Sequence, residues 1–360
     1  MKVAIIGAGV GGIATAIKLA QNGYQVTVYE KNATPGGRCG QLIRDGHRFD
    51  LGATIFLMPS IYRSVFESLG LHLEDCIESK PLPVIYKLYY GSGQTFDFTT
   101  NPSKMKAQME KIESGSFQYM QRYIKTGYNL FKISMDKLLG RNFYHLFDFI
   151  NFGNVKLLFQ IKTHIRHMTY VRKFFKNPLL QVAFTFQNIY VGQNPFTAPA
   201  LFSMLPAAEL SEGSLYPIGG MYTIVEKLIS VAKSLGVEFQ YNKAVMRINV
   251  DAEVATGLLF EDGSELKAES LKDLEEHIKF EVCYLPKTWE NVLNITKGSV
   301  FGSISHSILQ MGYFRPHNKH PRYNNLYFVG GSTHPGNGVP LVLLSSKLTS
   351  ERILSDAKKL

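Results

Sequence analysis

The chain is poor in the residues that build covalent or metal-held frameworks. Its 360 residues include three cysteines, Cys39, Cys76 and Cys283, which form no CxxC pair and no metal-ligand spacing. A disulfide-stapled domain and a zinc module are set aside, no metal is expected, and the thiols read as reduced ones in a cytosolic protein. No stretch reaches the roughly eighteen uninterrupted apolar residues of a membrane-crossing helix. The apolar N-terminus is interrupted by Gly7, Gly9, Gly11 and Gly12 and reads as a buried strand rather than a signal peptide. No Ser/His/Asp order and no paired carboxylates recommend hydrolysis. Acidic residues are outnumbered, 29 against 39 Lys and Arg, which gives a net charge of +10. That balance favours an anionic contact. The basic residues are interleaved with Phe and Tyr rather than gathered in runs, which fits a membrane surface better than nucleic acid.

What is present begins with size. A chain of this length with 45% hydrophobic residues has apolar area for two domains. Val3 to Ile6 is a short apolar run, followed at once by Gly7-Ala8-Gly9-Val10-Gly11-Gly12. Apolar positions return at helical spacing from Ile13 to Leu19, Gly23 ends the helix, and Gln25 to Tyr29 alternates like a strand that ends in Glu30 and Lys31. This is a β-α-β dinucleotide unit of the Rossmann kind, an α/β fold. Gly7 permits the tight turn, Gly9 lets backbone approach a pyrophosphate, and Gly12 lets helix and strand pack closely. The helix N-terminus offers free N–H groups and positive dipole to the phosphates. Glu30 would accept from a ribose diol and repel a 2′-phosphate.

Past Glu30 come Pro35-Gly36-Gly37-Arg38 and then Gly46-His47-Arg48-Phe49-Asp50-Leu51-Gly52-Ala53-Thr54. These residues resemble the extended signature of the amine oxidase and phytoene desaturase flavoproteins. The resemblance implies FAD rather than NAD, with the Gly36-Gly37-Arg38 turn against the pyrophosphate and Gly52-Ala53-Thr54 under the flavin. At the far end, Leu326 to Val329 reads as a buried strand, residues 330–340 (GGSTHPGNGVP) as its loop, and Val342 to Ile353 as a helix. That second helix N-terminus, with Gly330, Gly336, Gly338 and Val339, is expected to face the flavin and stabilise negative charge on it.

Four segments sharpen the resemblance: 52–59 (GATIFLMP), 214–221 (SLYPIGGM), 312–318 (GYFRPHN) and 330–340. In this order they look like the bacterial-type phytoene desaturase, or carotenoid dehydrogenase, family, over nearly the whole chain. The family implies FAD-dependent removal of hydrogen from a long linear polyene at a membrane surface. A hydride leaves an allylic C–H for the flavin and the neighbouring carbon loses a proton. Two departures stand out. Leu341 occupies the position where the family's last motif continues with Gly. The Val254–Phe260 and Glu265–Lys267 hairpin, turned by Asp262-Gly263, passes through Ser270 directly to Leu271, where relatives carry a further sheet strand and much of the substrate sheet. The chain reads as internally shortened, with Ile278 to Cys283 as an exposed substrate-sheet strand.

The expected division is 1–70, 211–270 and 321–360 for the FAD-binding domain, 71–210 for an inserted, mostly helical substrate domain, and 271–320 for the reduced substrate sheet. Residues 117–176 interleave aromatics such as Phe147, Phe152 and Phe159 with Lys and Arg. They suit the headgroup–acyl boundary on the inner face of the cell membrane, or the core of an ordinary helical domain. The helix expected from Met221 to Leu235 leads to strands at Val237–Tyr241 and Ala244–Val250, where Val245 is a candidate for the adenine. His164 and His167 read as surface histidines on a helix. His334 and Arg315 are the weak catalytic candidates nearest the implied flavin. Two further readings stay open: another flavin oxidase of the superfamily acting on an amine or a retinoid, and a flavin-binding remnant without turnover.

Overall fold

The structure, a computed structural model, describes residues 2–149, 151–267 and 315–358. Cys283, the join at Ser270 and the expected strand at Ile278–Cys283 lie outside the described residues. The chain divides into two compact units. One comprises 1–54, 61–79 and 217–360, and the other 55–60 and 80–216.

In the first unit, strand β1 (Lys2–Ile6), helix α1 (Val10–Ala20) and strand β2 (Gln25–Tyr29) form the β-α-β unit. The two strands pair in parallel, Lys2 opposite Gln25 through Ile6 opposite Tyr29, and the strand Glu238–Gln240 joins β2 in parallel on its other side. Helix α1 is buried almost all round, with Ile13, Ala16, Ile17 and Leu19 inaccessible. It packs on the helices Tyr222–Ser234 and Val339–Ala357, which explains why its composition is apolar rather than amphipathic. A second sheet, the antiparallel meander Val245–Asp251, Val254–Phe260 and Glu265–Lys267, packs Ala255, Leu258 and Phe260 against Ala4 of β1.

Leu326, Tyr327 and Val329 are buried as expected, but among the described residues they form no strand ladder. Among the described residues the segment makes one isolated bridge, Lys319 to Tyr327. Asn325 does part of a strand's work there, since its carboxamide accepts from the Ala255 N–H at 2.8 Å and donates to the Ala255 carbonyl at 3.0 Å. A side chain thereby satisfies both buried backbone groups of Ala255.

The second unit is mostly helical around an aromatic core, with a hairpin that the periodicity reading missed. Tyr86–Tyr89 and Thr95–Phe98 form an antiparallel hairpin whose Leu88, Phe96 and Phe98 enter the core beside Tyr123, Phe175 and Phe184. The alternation around Gly91-Ser92-Gly93 is its sequence signal. Three helices here start on asparagine: the Asn101, Asn151 and Asn177 side chains accept from the N–H groups of Lys104, Asn154 and Leu179.

His167 corrects the surface reading. It is 0% exposed, with Tyr123 Oη at 2.8 Å from one ring nitrogen and Asn188 Oδ1 at 3.0 Å from the other. Burial pulls its pKa down to about 4, which keeps it neutral. His164 is exposed and lies in a turn, not on a helix. A second buried polar cluster centres on Glu209, 2% exposed. Its Oε2 accepts from Tyr86 Oη at 3.3 Å, and Gln187 donates to the same Tyr86 oxygen. Burial pushes the Glu209 carboxyl up to about 7, against the hydrogen bonds of Tyr190, Gln187 and Tyr86.

Candidate cofactor site

The glycine loop is set by backbone geometry. Gly7 has φ 101°, and its N–H donates to the Tyr29 carbonyl at 2.7 Å. A side chain there would be strained whatever the space. Gly9 needs no such φ, and its importance is spatial. A Cβ on Gly9 would meet nothing within 4 Å, so the hydrogen it carries faces open space at the start of α1. No side chain caps that helix and no acidic residue stands in its first turn, so its N-terminal N–H groups and dipole remain available for an anion. Gly11 and Gly12 are buried within the first turns.

Glu30, at the end of β2, is buried. Its Oε2 accepts from the Ala8 N–H at 2.8 Å, and its Oε1 from the Asn32 N–H and side chain at 2.9 and 2.8 Å. The carboxylate thus holds the glycine loop itself. Each oxygen keeps acceptor capacity beyond these bonds. Lys31 is half-buried, and burial lowers its ammonium against the opposing pull of Glu30 and Glu261.

The Gly36–Cys39 turn docks on this loop. Gly36 and Gly9 form a parallel bridge, and the Gly36 N–H donates to the Ala8 carbonyl at 2.7 Å. Gly52 passes so close that a Cβ on it would stand 1.8 Å from the Arg38 carbonyl oxygen, so only glycine fits. Ala53 and Thr54 follow it. Sequence reasoning quoted Asp50 but missed its task. Its two oxygens accept from the Met221 and Tyr222 N–H groups at 2.8 and 3.2 Å and cap the helix Tyr222–Ser234. The side chain of Arg38 reaches the C-terminal loop. A Cβ on Gly331 would lie 2.7 Å from its Nη2.

That loop is knit from within. Asn318, Thr333, Ser345 and Thr349 form a buried hydrogen-bond cluster that ties residues 330–334 to the helix Val339–Ala357. Gly338 caps this helix, and Val339 is its first residue. Gly336 and Gly338 hold φ 153° and 90°. Arg315 donates from Nε to the Thr333 carbonyl at 3.2 Å and from Nη2 to the Gly331 carbonyl at 2.9 Å. His334 is buried in the same loop, its N–H on the Pro316 carbonyl. Val245 lies in the meander opposite Phe260 and packs on the same apolar cluster as Tyr29, the residue before Glu30.

Uncapped N–H groups, open space at Gly9, a buried acid at the end of β2 and guanidinium groups at the facing loop together fit a dinucleotide's phosphate bridge and ribose. Comparison with known proteins supplies the rest. The profile of the family described as flavin containing amine oxidoreductase matches residues 10–271. The chain belongs to that family. It is a flavin-dependent oxidoreductase.

Among its curated relatives, the chain is 27% identical to a zeta-carotene-forming phytoene desaturase of Myxococcus xanthus, with 98% of this chain and 94% of the relative covered. It is 25% identical to a 4,4'-diapophytoene desaturase of Staphylococcus aureus (strain Newman), with both chains covered completely. The first comparison spans 486 aligned positions against 360 residues, so at least 126 positions hold no residue of this chain. The second spans 501, a difference of 141. Among solved structures, a redesigned putrescine oxidase matches with TM-score 0.51 at 17% identity, over 78% of this chain and 58% of that one. The chain therefore spans less than two thirds of that structure, and the likeness is one of fold.

Among the described residues no three of His, Cys, Asp and Glu gather as a metal site. No described helix is long and apolar enough to cross a membrane. Cys39 is buried, and burial, with Asp50 nearby, pushes its thiol up to about 12, so it is not a ready nucleophile.

Proposed function

We propose that this flavoprotein uses FAD to desaturate a linear carotenoid precursor, phytoene or its shorter homologue diapophytoene. The observation that carries the reading is the match to desaturases of both substrates along 98–100% of this chain. The site suits FAD better than a mononucleotide, because Glu30 would hold a ribose beyond the phosphates that the α1 N-terminus would meet. When bound, the flavin supplies a hydride acceptor for an allylic C–H. The chain's own share is to seat the cofactor, position a hydrocarbon and keep water away from the reacting carbons. Helix dipoles and Arg38 favour negative charge beside it.

The substrate is insoluble in water, and the second unit offers a surface for collecting it from a bilayer. Within residues 117–176, Tyr123, Phe131, Phe143, Tyr170 and Phe175 are core residues. The exposed aromatics concentrate on the short helices Leu146–Phe149 and Phe152–Gln160, with Phe147 82%, Phe152 88% and Phe159 62% exposed. Lys156 and Lys162 lie along the same segment. Bulky apolar tips next to ammonium groups suit an anionic headgroup boundary.

The alignment positions without a counterpart favour one further reading. A flavin domain short of a sheet strand exposes backbone edges, so FAD binding is expected to be weak and turnover strongly reduced. The deciding experiment incubates the purified chain with FAD and liposomes holding phytoene or diapophytoene, beside a full-length desaturase. Coloured polyene products support the proposal. Bound FAD without product supports the remnant reading. Absence of any flavin band after FAD addition would sink both. Re-sequencing the coding DNA around Ser270 tests whether the shortening is genuine.

A further inference from the structure

Arg315 is 4% exposed, and its environment is unusual for a buried cation. Its two hydrogen bonds go to loop carbonyls, those of Gly331 and Thr333. No carboxylate pairs with it among the described residues. The charged neighbour that acts on it is another cation, Arg38. Burial and that repulsion pull Arg315 down to about 10. A guanidinium has five N–H donors in a planar fork, so two bonds leave part of the fork unspent. A buried guanidinium with donors unspent and a second cation nearby is costly unless an anion meets it.

The position of the pair indicates which anion. Arg38 extends from the Gly36–Cys39 turn, which is bridged to Gly9 at the uncapped start of α1. The Arg38 Nη atoms lie 2.7 and 3.0 Å from where a Gly331 side chain would begin, so glycine there is what admits the guanidinium. Arg315 grips the carbonyl of the same Gly331. The α1 N-terminus, Arg38, Gly331 and Arg315 are thus consecutive neighbours.

We infer that Arg315 is a second arginine of the pyrophosphate clamp, acting with Arg38 while it holds the C-terminal loop beside the diphosphate. This rests on the dinucleotide-cofactor reading above. Arg315 is a positioning and phosphate-binding residue in this assignment, not a proton donor. A planar fork suits the task, because it can hold two carbonyls on one side and a phosphate oxygen on another.

The test measures equilibrium binding to the flavin-free full chain with FAD, ADP and riboflavin as probes, in wild type and Arg315→Gln. Affinity for FAD and for ADP is expected to fall about 10- to 100-fold, the effect of losing a hydrogen bond to a charged group. Riboflavin, which has no phosphate, is expected to bind both proteins alike, and the fall for ADP is expected to shrink as salt is raised. FAD and ADP affinities within twofold of wild type would overturn the inference, and so would an equal loss for all three probes. Should Arg315→Gln fail to fold, Arg315→Lys replaces it with the same expected direction and the same overturning results, since lysine lacks the fork. A wild-type chain that binds ADP but not FAD, with ADP binding still lost in the variant, would keep the clamp and remove the flavin assignment.

Discussion

Replacing Glu209 by Gln removes a titration from the core of the second unit, and burial of the carboxyl sets its sign. Burial raises the Glu209 carboxyl from an ordinary 4.5 to about 7. Between those values the folded protein holds a proton that the unfolded chain has released. The stability tied to this group is fully present below about pH 4.5 and is lost as pH rises through about 7. The interval, at about 1.4 kcal/mol per pH unit, amounts to about 3 kcal/mol. His167 works the other way. Its pKa falls from 6.5 to about 4, so its contribution is lost as pH drops through that range. The quantity to compare is therefore wild type against Glu209→Gln at each pH, by urea unfolding at pH 5 and pH 8.5. The amide, which carries no charge at either pH, is expected to stabilise relative to wild type by about 2.5 kcal/mol more at pH 8.5 than at pH 5, where part of the loss has already occurred. An identical pH dependence in the two proteins would refute the claim that the folded core keeps Glu209 protonated.

Glycines at the cofactor site separate fold from binding. Gly52→Ala, whose Cβ would sit 1.8 Å from the Arg38 carbonyl oxygen, is expected to lower the melting temperature of the ligand-free chain. Gly9→Ala has open space and is expected to melt like wild type without ligand, yet lose FAD affinity by about 100-fold; normal FAD binding would show that the pyrophosphate lies elsewhere. His167→Ala strands the Asn188 carboxamide oxygen, leaves the Tyr123 hydroxyl only the Phe184 carbonyl and opens a cavity, and is expected to cost about 2–4 kcal/mol by urea unfolding; a cost below about 0.5 kcal/mol would mean that this network carries little. The double variant Phe147→Ser/Phe152→Ser is expected to reduce flotation with anionic liposomes without changing FAD affinity; undiminished flotation would move the membrane contact elsewhere.

The dinucleotide unit was legible in the letters because its demands are local. Gly7 needs a φ that few residues adopt, Gly9 needs empty space, and β1 announces itself by its apolar run, α1 by helical spacing and β2 by alternation. The final helix was legible for the same reason, since the glycine loop and Pro340 mark its start. The Tyr86–Phe98 hairpin carried an equally local signal, but it stood inside a helical stretch and was absorbed into it. Roles that depend on a distant partner were not legible. Nothing near Asp50 in sequence says that it caps a helix 171 residues on, and nothing beside Asn325 says that it completes the backbone of Ala255. Arg315 showed itself only as a conspicuous residue, and its grip on Gly331 and nearness to Arg38 exist only once the chain is folded. The middle of the chain makes the division plainest. Composition counted the aromatics correctly, but periodicity cannot separate Tyr123, which is buried, from Phe152, which is bare. Burial is a property of what packs opposite, and tertiary structure alone decides that.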